Sequence, residues 1–449
     1  MRPKTRAAAL AAGALCIALS ASACAGAGGG TAAGDQNSIN VLMVNNPQME
    51  DLQRLTADNF TKETGVKVNY TVLPENDVRA KISQEFSSQA GQYDVASLSN
   101  YEIPFYSANN WLAPLDNVAK DTEFNQADIL PAYTASLTGK DGKLYGEPFY
   151  GESSFLMYRK DIFDAKGLTM PEKPTWDEVA DLAAKADGAA PGMKGICLRG
   201  QPGWGQVFAP LTTVVNTFGG TWFDKDWNAK VNAPEFTAAT EFYTKLVREH
   251  GEAGAAQAGF TECLNNMSQS KVAMWYDATS AAGALEADAS PVKGKIGYAQ
   301  APVKKTDSSG WLWTWSWGVQ AASKKQDAAG KFIAWASSKK YEELVASKLG
   351  WAKVPSGKRI STYENAEFQK AAPFFKAERS AIENADPKNP GVQERPVVGI
   401  QFVGIPEFAD LGTTVSQGVS SAIAGQGTVA DALAKGQETA QRIGDKYKK

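Results

Sequence analysis

The sequence predicts an α/β fold in two lobes, on three observations. Residues 38–98 alternate strand, helix, strand, helix, strand, the pattern of a parallel sheet with crossover helices. At 449 residues the chain exceeds what one hydrophobic core ordinarily holds, so a second lobe is expected. Strand and helix patterns recur from residue 144 to the end, and 43% of the chain is hydrophobic against 21% charged.

Each element carries its own signal. Residues 38–44 are an apolar run, followed by Asn45, Asn46 and Pro47, a turn. Leu52, Leu55 and Phe60 give helical spacing over 49–64, and Gly65 ends that helix. Residues 66–72 alternate as a second strand, a helix follows over 75–89, and 94–98 make a short third strand. Ligands of such sheets sit beyond the carboxyl ends of the strands, so the loops at Asn45 and at Asn100 are candidate cleft walls. Asp141, Gly142 and Lys143 suit a hairpin turn, and 153–158 reads as a further strand. Thr175 with Glu178 is a capping box, in which the hydroxyl accepts from the Glu178 amide while that side chain reaches back. Asn232 with Glu235 repeats the start signal, 272–276 is a strand, and late helices run over 328–337 and from 406.

The N-terminus reads as an export signal. Arg2, Lys4 and Arg6 precede an apolar run over 7–19, too short for a spanning helix, and small residues then lead to Cys24. That order resembles the lipobox of bacterial lipoproteins, with Ala21 in place of the usual leucine. It implies a signal peptide over 1–23 and a diacylated Cys24; cleavage near Ala23 by ordinary signal peptidase is the alternative. The Gly- and Ala-rich stretch 25–34 suits a flexible leash. Of the four cysteines, Cys16 leaves with the signal and Cys24 would carry lipid, which leaves Cys197 and Cys263 as an expected disulfide in an oxidising compartment, or else two buried thiols. The expected location is the outer face of the cytoplasmic membrane.

Residues 150–161, from Tyr150 and Glu152 through Met157 to Asp161, followed by Pro174, Thr175, Trp176, Asp177 and Glu178, resemble the family 1 extracellular solute-binding proteins of ABC importers. Trp351 to Pro355 and the Ala424, Gly425, Gln426 stretch add to the likeness, which spans the chain after its leash. Gly195 to Gly200, Trp204 between two glycines, Phe218 to Phe223 and the tryptophan-rich 311–317 are similar to the sorbitol- and mannitol-binding group. The resemblance implies a two-lobed periplasmic-binding-protein fold with a ligand cleft and several hinge crossings. One lobe is expected to take 35–148 with 275–330, and the other 149–274 with 331–449. It implies capture of a polyol or small sugar for a permease, by a monomer without cofactor.

The 12 tryptophans fit that reading, because axial C–H groups of a polyol pack on aromatic faces while its hydroxyls need directed partners. Trp204 and Trp222 lie in Gly-rich loops, Trp275 and Asp277 end a strand, and Tyr150 and Glu152 lie at the first crossing. Arg199 and Arg395 can donate in forks. Trp313 and Trp315 belong to a run expected to divide between core and cleft; packing and structural ion pairs are the competing roles for all of these. Asp224, Asp226, Asn228 and Glu235 match part of a calcium-loop template, but Ala229 replaces its glycine and a hairpin turn explains the same residues.

A net charge of −3 with no long basic stripe argues against a nucleic-acid partner. One histidine, His250, leaves little for His-based triads or multi-His metal sites, and no phosphate-cradling glycine motif occurs. The rival readings are a secreted glycoside hydrolase, which needs only paired carboxylates in a tryptophan-lined cleft, and a sensory or adhesive lipoprotein.

Overall fold

Ten strands make two sheets in the structure, a computed structural model that describes residues 37–448. The leader, Cys24 and the leash lie outside the described residues. In the first sheet β1 (Ser38–Val44) pairs in parallel with β2 (Lys67–Leu73) and β3 (Val95–Ser99). β10 (Trp313–Gln320) then runs antiparallel to β3, β4 (Leu112–Ala113) and β5 (Glu147–Glu152). The second sheet has the order β7-β8-β6-β9, from β6 (Ser154–Arg159), β7 (Lys194–Cys197), β8 (Val272–Ala278) and β9 (Ile296–Gln300).

Local chemistry sets the ends of these elements. Asn46 caps the Pro47–Thr56 helix by accepting from the Met49 amide, with Pro47 in the first turn where its missing N–H costs nothing. Gly65 takes φ 75° where that helical stretch stops. The capping box at Thr175 is formed in full, opening the Trp176–Ala186 helix. The Pro234–His250 helix begins with Pro234 after Ala233, so Asn232 is not its cap. Proline at the first helical position does that job with a fixed φ and no side-chain bond.

Sheet membership departs from the expected lobe division. β8 pairs with β6 from Met274 to Ala278 and β9 pairs with β6 on the other side, so 275–300 belongs with the second sheet. A boundary at 275 would cut a continuous buried strand. The Gln326–Ala336 helix packs on β10 and β1, which puts it with the first sheet rather than the second lobe. The Phe408–Ile423 and Val429–Tyr447 helices pack on Pro234–His250.

The chain passes between sheets at Ser153, the single residue between β5 and β6. Its carbonyl accepts from the Thr279 amide at 2.8 Å, just where β8 ends, so two crossings are tied together. A strap at Ser356 and Gly357 covers this point: the Gly151 amide donates to the Ser356 carbonyl at 3.1 Å. A Cβ on Gly357 (φ +86°) would stand 1.9 Å from the Gly151 oxygen, so only glycine fits there.

Candidate ligand-binding site

Between the two sheets lies a cavity of about 350 Å³, at the small end of the range for small-molecule sites. Its walls come from strand ends. Asn45 and Asn46 follow β1, Glu75, Asn76 and Arg79 belong to the Glu75–Ser88 helix after β2, and Tyr150 and Glu152 end β5. The second sheet supplies Arg199, Gln201, Trp204 and Gln206 after β7, and Ser280 after β8. Trp311, Trp313 and Trp315 also line it. Alternate residues of a strand share one face, so depth divides the tryptophans of β10. Trp313 and Trp315 lie at the start of β10, opposite Glu152 at the end of β5 and Ser99 at the end of β3, while Trp317 is fully buried against Phe149 and Phe332.

Charge in the cavity is arranged around Arg199 and Arg79, with Glu75 reaching both guanidinium groups. Arg199 forks onto Asp277, with Nε and Nη2 donating at 2.8 and 2.6 Å, and Nη1 donates to the Gly205 carbonyl at 3.0 Å. Asp277 and its neighbouring carboxylates hold the guanidinium firmly charged despite burial. Arg79 is held by Glu75 at 2.8 Å and Glu102 at 3.3 Å. Its Cζ lies 4.3, 4.9 and 4.7 Å from the ring centres of Trp204, Trp313 and Trp315, a cation enclosed by three indoles. Glu152 accepts from the Ser280 hydroxyl at 2.5 Å, and burial pushes its carboxyl up to about 8. A buried group that keeps its proton at neutral pH can donate as well as accept. Aromatic faces beside forked donors and carboxyl groups suit a small, apolar-backed ligand rich in hydroxyls.

Comparison with known proteins places this arrangement. Residues 45–343 match the model of the bacterial extracellular solute-binding proteins. The chain belongs to that family. It is 38% identical to the mannitol-binding protein of Pseudomonas aeruginosa over 408 residues, 90% of this chain and 92% of the relative. Among solved structures, an ABC transporter solute-binding protein from Agrobacterium vitis S4 with bound D-mannitol is 44% identical at a TM-score of 0.89, covering 91% of this chain and 99% of the other. One from Agrobacterium radiobacter K84 in complex with ribitol is 25% identical, with a TM-score of 0.80 over 90% and 98% of the two chains. The fold of this solute-binding protein is therefore the two-lobed periplasmic-binding-protein fold, its location is extracytoplasmic, and its relatives are binding proteins.

Seven of the residues expected to bind line the cavity of the solute-binding protein: Asn45, Tyr150, Glu152, Arg199, Trp204, Trp313 and Trp315. Five others do not. Asn100 accepts from the Thr314 amide and donates to the Leu312 carbonyl, tying the loop after β3 to β10. Trp222 is core, 1% exposed and wedged among Phe208, Phe236 and Phe408. Trp275 and Asp277 are fully buried behind Arg199, and the indole donates to the carboxylate at 3.1 Å. Arg395 donates to Asn216 near the end of the Phe208–Phe218 helix, where a cation complements the helix dipole.

Glu75, Asn76, Arg79, Gln206 and Ser280 were not foreseen. The carboxyl-end rule, applied to β2 as it was to β1 and β3, points to the first two. Arg79 sits in mid-helix and carried no local signal. Cys197 and Cys263 form the expected disulfide, with Cα atoms 5.7 Å apart. Asp224 accepts from the amides of Asp226 and Asn228 and from the Asn228 side chain, and Lys230 lies 3.2 Å away, so its oxygens serve a turn.

Proposed function

We propose that this protein captures an acyclic polyol, a hexitol such as D-mannitol, between its lobes and presents it to the membrane subunits of an ABC importer. The observation that carries the reading is the D-mannitol-bound relative, alike in sequence and fold along nearly its whole length. The site chemistry supports it. Trp313 and Trp315 offer faces to the carbon chain, while Arg199, Glu152, Asn45 and Tyr150 offer partners to its hydroxyls. Three of the five Arg199 N–H groups donate to Asp277 and the Gly205 carbonyl, and Nη1 also lies 3.7 Å from Glu75 Oε2, so the guanidinium is held with one edge toward the cavity carboxylates.

Capture without turnover is part of this reading. An alditol has no glycosidic bond for a carboxylate pair to cleave, and no observation favours a hydrolase or a sensory role. Ligand draws a hinge equilibrium at Ser153 toward the closed form, which the permease recognises. The monomer is tethered outside the cell by a lipidated Cys24. Cys24→Ala releases it from the membrane fraction, and equal retention of the variant speaks against the anchor.

A thermal-shift screen of D-mannitol, sorbitol and ribitol against glucose and maltose tests the function. A bound polyol at a hundredfold its Kd adds about 2.7 kcal/mol of stability. No shift with any polyol, or a larger shift with a disaccharide, overturns the reading.

A further inference from the structure

One wall of the cavity is built by both lobes, from Arg79 of the first and Trp204 of the second. Trp204 stands on the second-lobe loop after β7, and one side of it meets the guanidinium of Arg79 from the first lobe. Tyr101, from the loop after β3, packs against it with ring centres 4.7 Å apart, and Phe408 lies 6.4 Å away. Phe402 closes the cluster against Tyr101 and Trp313, at 4.9 and 5.9 Å. The Tyr101 hydroxyl donates to the Ile405 carbonyl at 2.8 Å, which binds this wall to the second lobe.

The loop carrying Trp204 is shaped for the opposite lobe. Asn76 donates to the Pro202 carbonyl at 3.0 Å, and Gln206 donates to Glu75 at 3.3 Å. A Cβ on Gly203 would stand 2.6 Å from Asn76 Oδ1, and one on Gly205 2.8 Å from Glu75 Oε1. On the far side, a Cβ on Gly412 would come within 2.8 Å of the Trp204 Cβ. Three glycines thus allow one tryptophan to be seated between a helix of each lobe.

We propose that Trp204 and Arg79 form an end stop that limits the ligand to a single acyclic unit and rejects polyols extended by a sugar ring. The proposal rests on the polyol reading above. A longer ligand would have to push Arg79 out from three indole rings and two carboxylates, and Trp204 out from an aromatic layer with no room behind it. Rejection by such a wall exceeds what loss of a single contact gives, because a buried cation would be left without its partners.

Calorimetric titration with D-mannitol and with maltitol, the isomeric hexitol D-glucitol carrying one glucosyl ring, tests this in wild type and Trp204→Ala. Wild type is expected to bind D-mannitol and give no saturable heat with maltitol. The variant is expected to bind maltitol, with the D-mannitol to maltitol preference reduced at least about tenfold. If Trp204→Ala melts below the titration temperature, Arg79→Ala reads the same ratio with all three rings kept. Wild type binding both alditols within about tenfold, or folded variants with unchanged preference, overturns the end stop alone. Wild type that binds neither alditol overturns the polyol reading, and the end stop with it.

Discussion

Asp277 is fully buried, and its two oxygens accept from both arms of Arg199, from the Trp275 indole and from the Ala278 amide. A carboxylate has about four lone-pair sites, so none is left for a ligand; Asp277 is a positioning residue for Arg199. Asp277→Ala should cost about 3–5 kcal/mol of stability, because it leaves a buried guanidinium uncompensated, and should also weaken ligand binding. Urea denaturation of the apo variant reads the first effect; unchanged stability would make Asp277 an ordinary ligand contact. Trp222→Ala should likewise cost about 3–5 kcal/mol by opening a core cavity. Neither role was legible in sequence, where a tryptophan in a Gly-rich loop and an acid at a strand end look alike whether they face ligand or core. Glu152 was legible as a residue of the cavity wall, and its protonation follows from burial. Ser280 and Arg199 favour its charge while Asp277 and Glu75 oppose it, but burial dominates and pushes the carboxyl up to about 8 from an ordinary 4.5. The folded chain therefore keeps a proton that the unfolded chain loses. The stability Glu152 contributes is full below 4.5 and is lost as pH rises through 8. Glu152→Gln, a permanently neutral mimic, should flatten the fall of apo Tm between pH 5 and 9, as calorimetric scans would show. A slope equal to that of wild type would mean that Glu152 is ionised at neutral pH.

Short elements with chemical stop signals were the most legible. The Thr175 capping box, the Gly65 stop and the Cys197–Cys263 bridge each follow from side-chain chemistry within a few residues or from compartment. Thr175→Ala should cost about 1 kcal/mol in denaturation, the usual worth of such a cap. The disulfide has a further consequence for the site. Cys197 ends β7 two residues before Arg199, and Cys263 lies on the Phe260–Ser268 helix, whose Phe260 ring lies 5.4 Å from the Arg199 guanidinium. The bridge joins two segments of cavity wall across a sequence separation of 66. Replacing both cysteines by serine should cost on the order of 4 kcal/mol by the loop-entropy account. It should also lower polyol affinity in molecules that remain folded. Denaturation paired with titration separates the two effects, and full affinity in the double variant would confine the bridge to stability.

At the scale of the whole molecule, the alternation of strands and helices gave the α/β class, but the lobe boundaries did not follow from it. β8 and β9 return to the second sheet before the chain crosses at 301–312 to β10, and hydropathy carries no mark of which sheet a buried strand joins. The cleft was legible where loops leave strand ends. It was hidden where a helix side chain, Arg79, reaches the cavity by tertiary packing alone. The central claim, that the cavity between the two sheets holds a polyol and leaves it unaltered, is tested most directly by calorimetric titration of the folded chain with D-mannitol, followed by recovery of the ligand. The account predicts saturable binding at one site per chain and chemically unchanged D-mannitol. Absence of saturable heat at millimolar ligand, or continuous heat with a modified product, would contradict it.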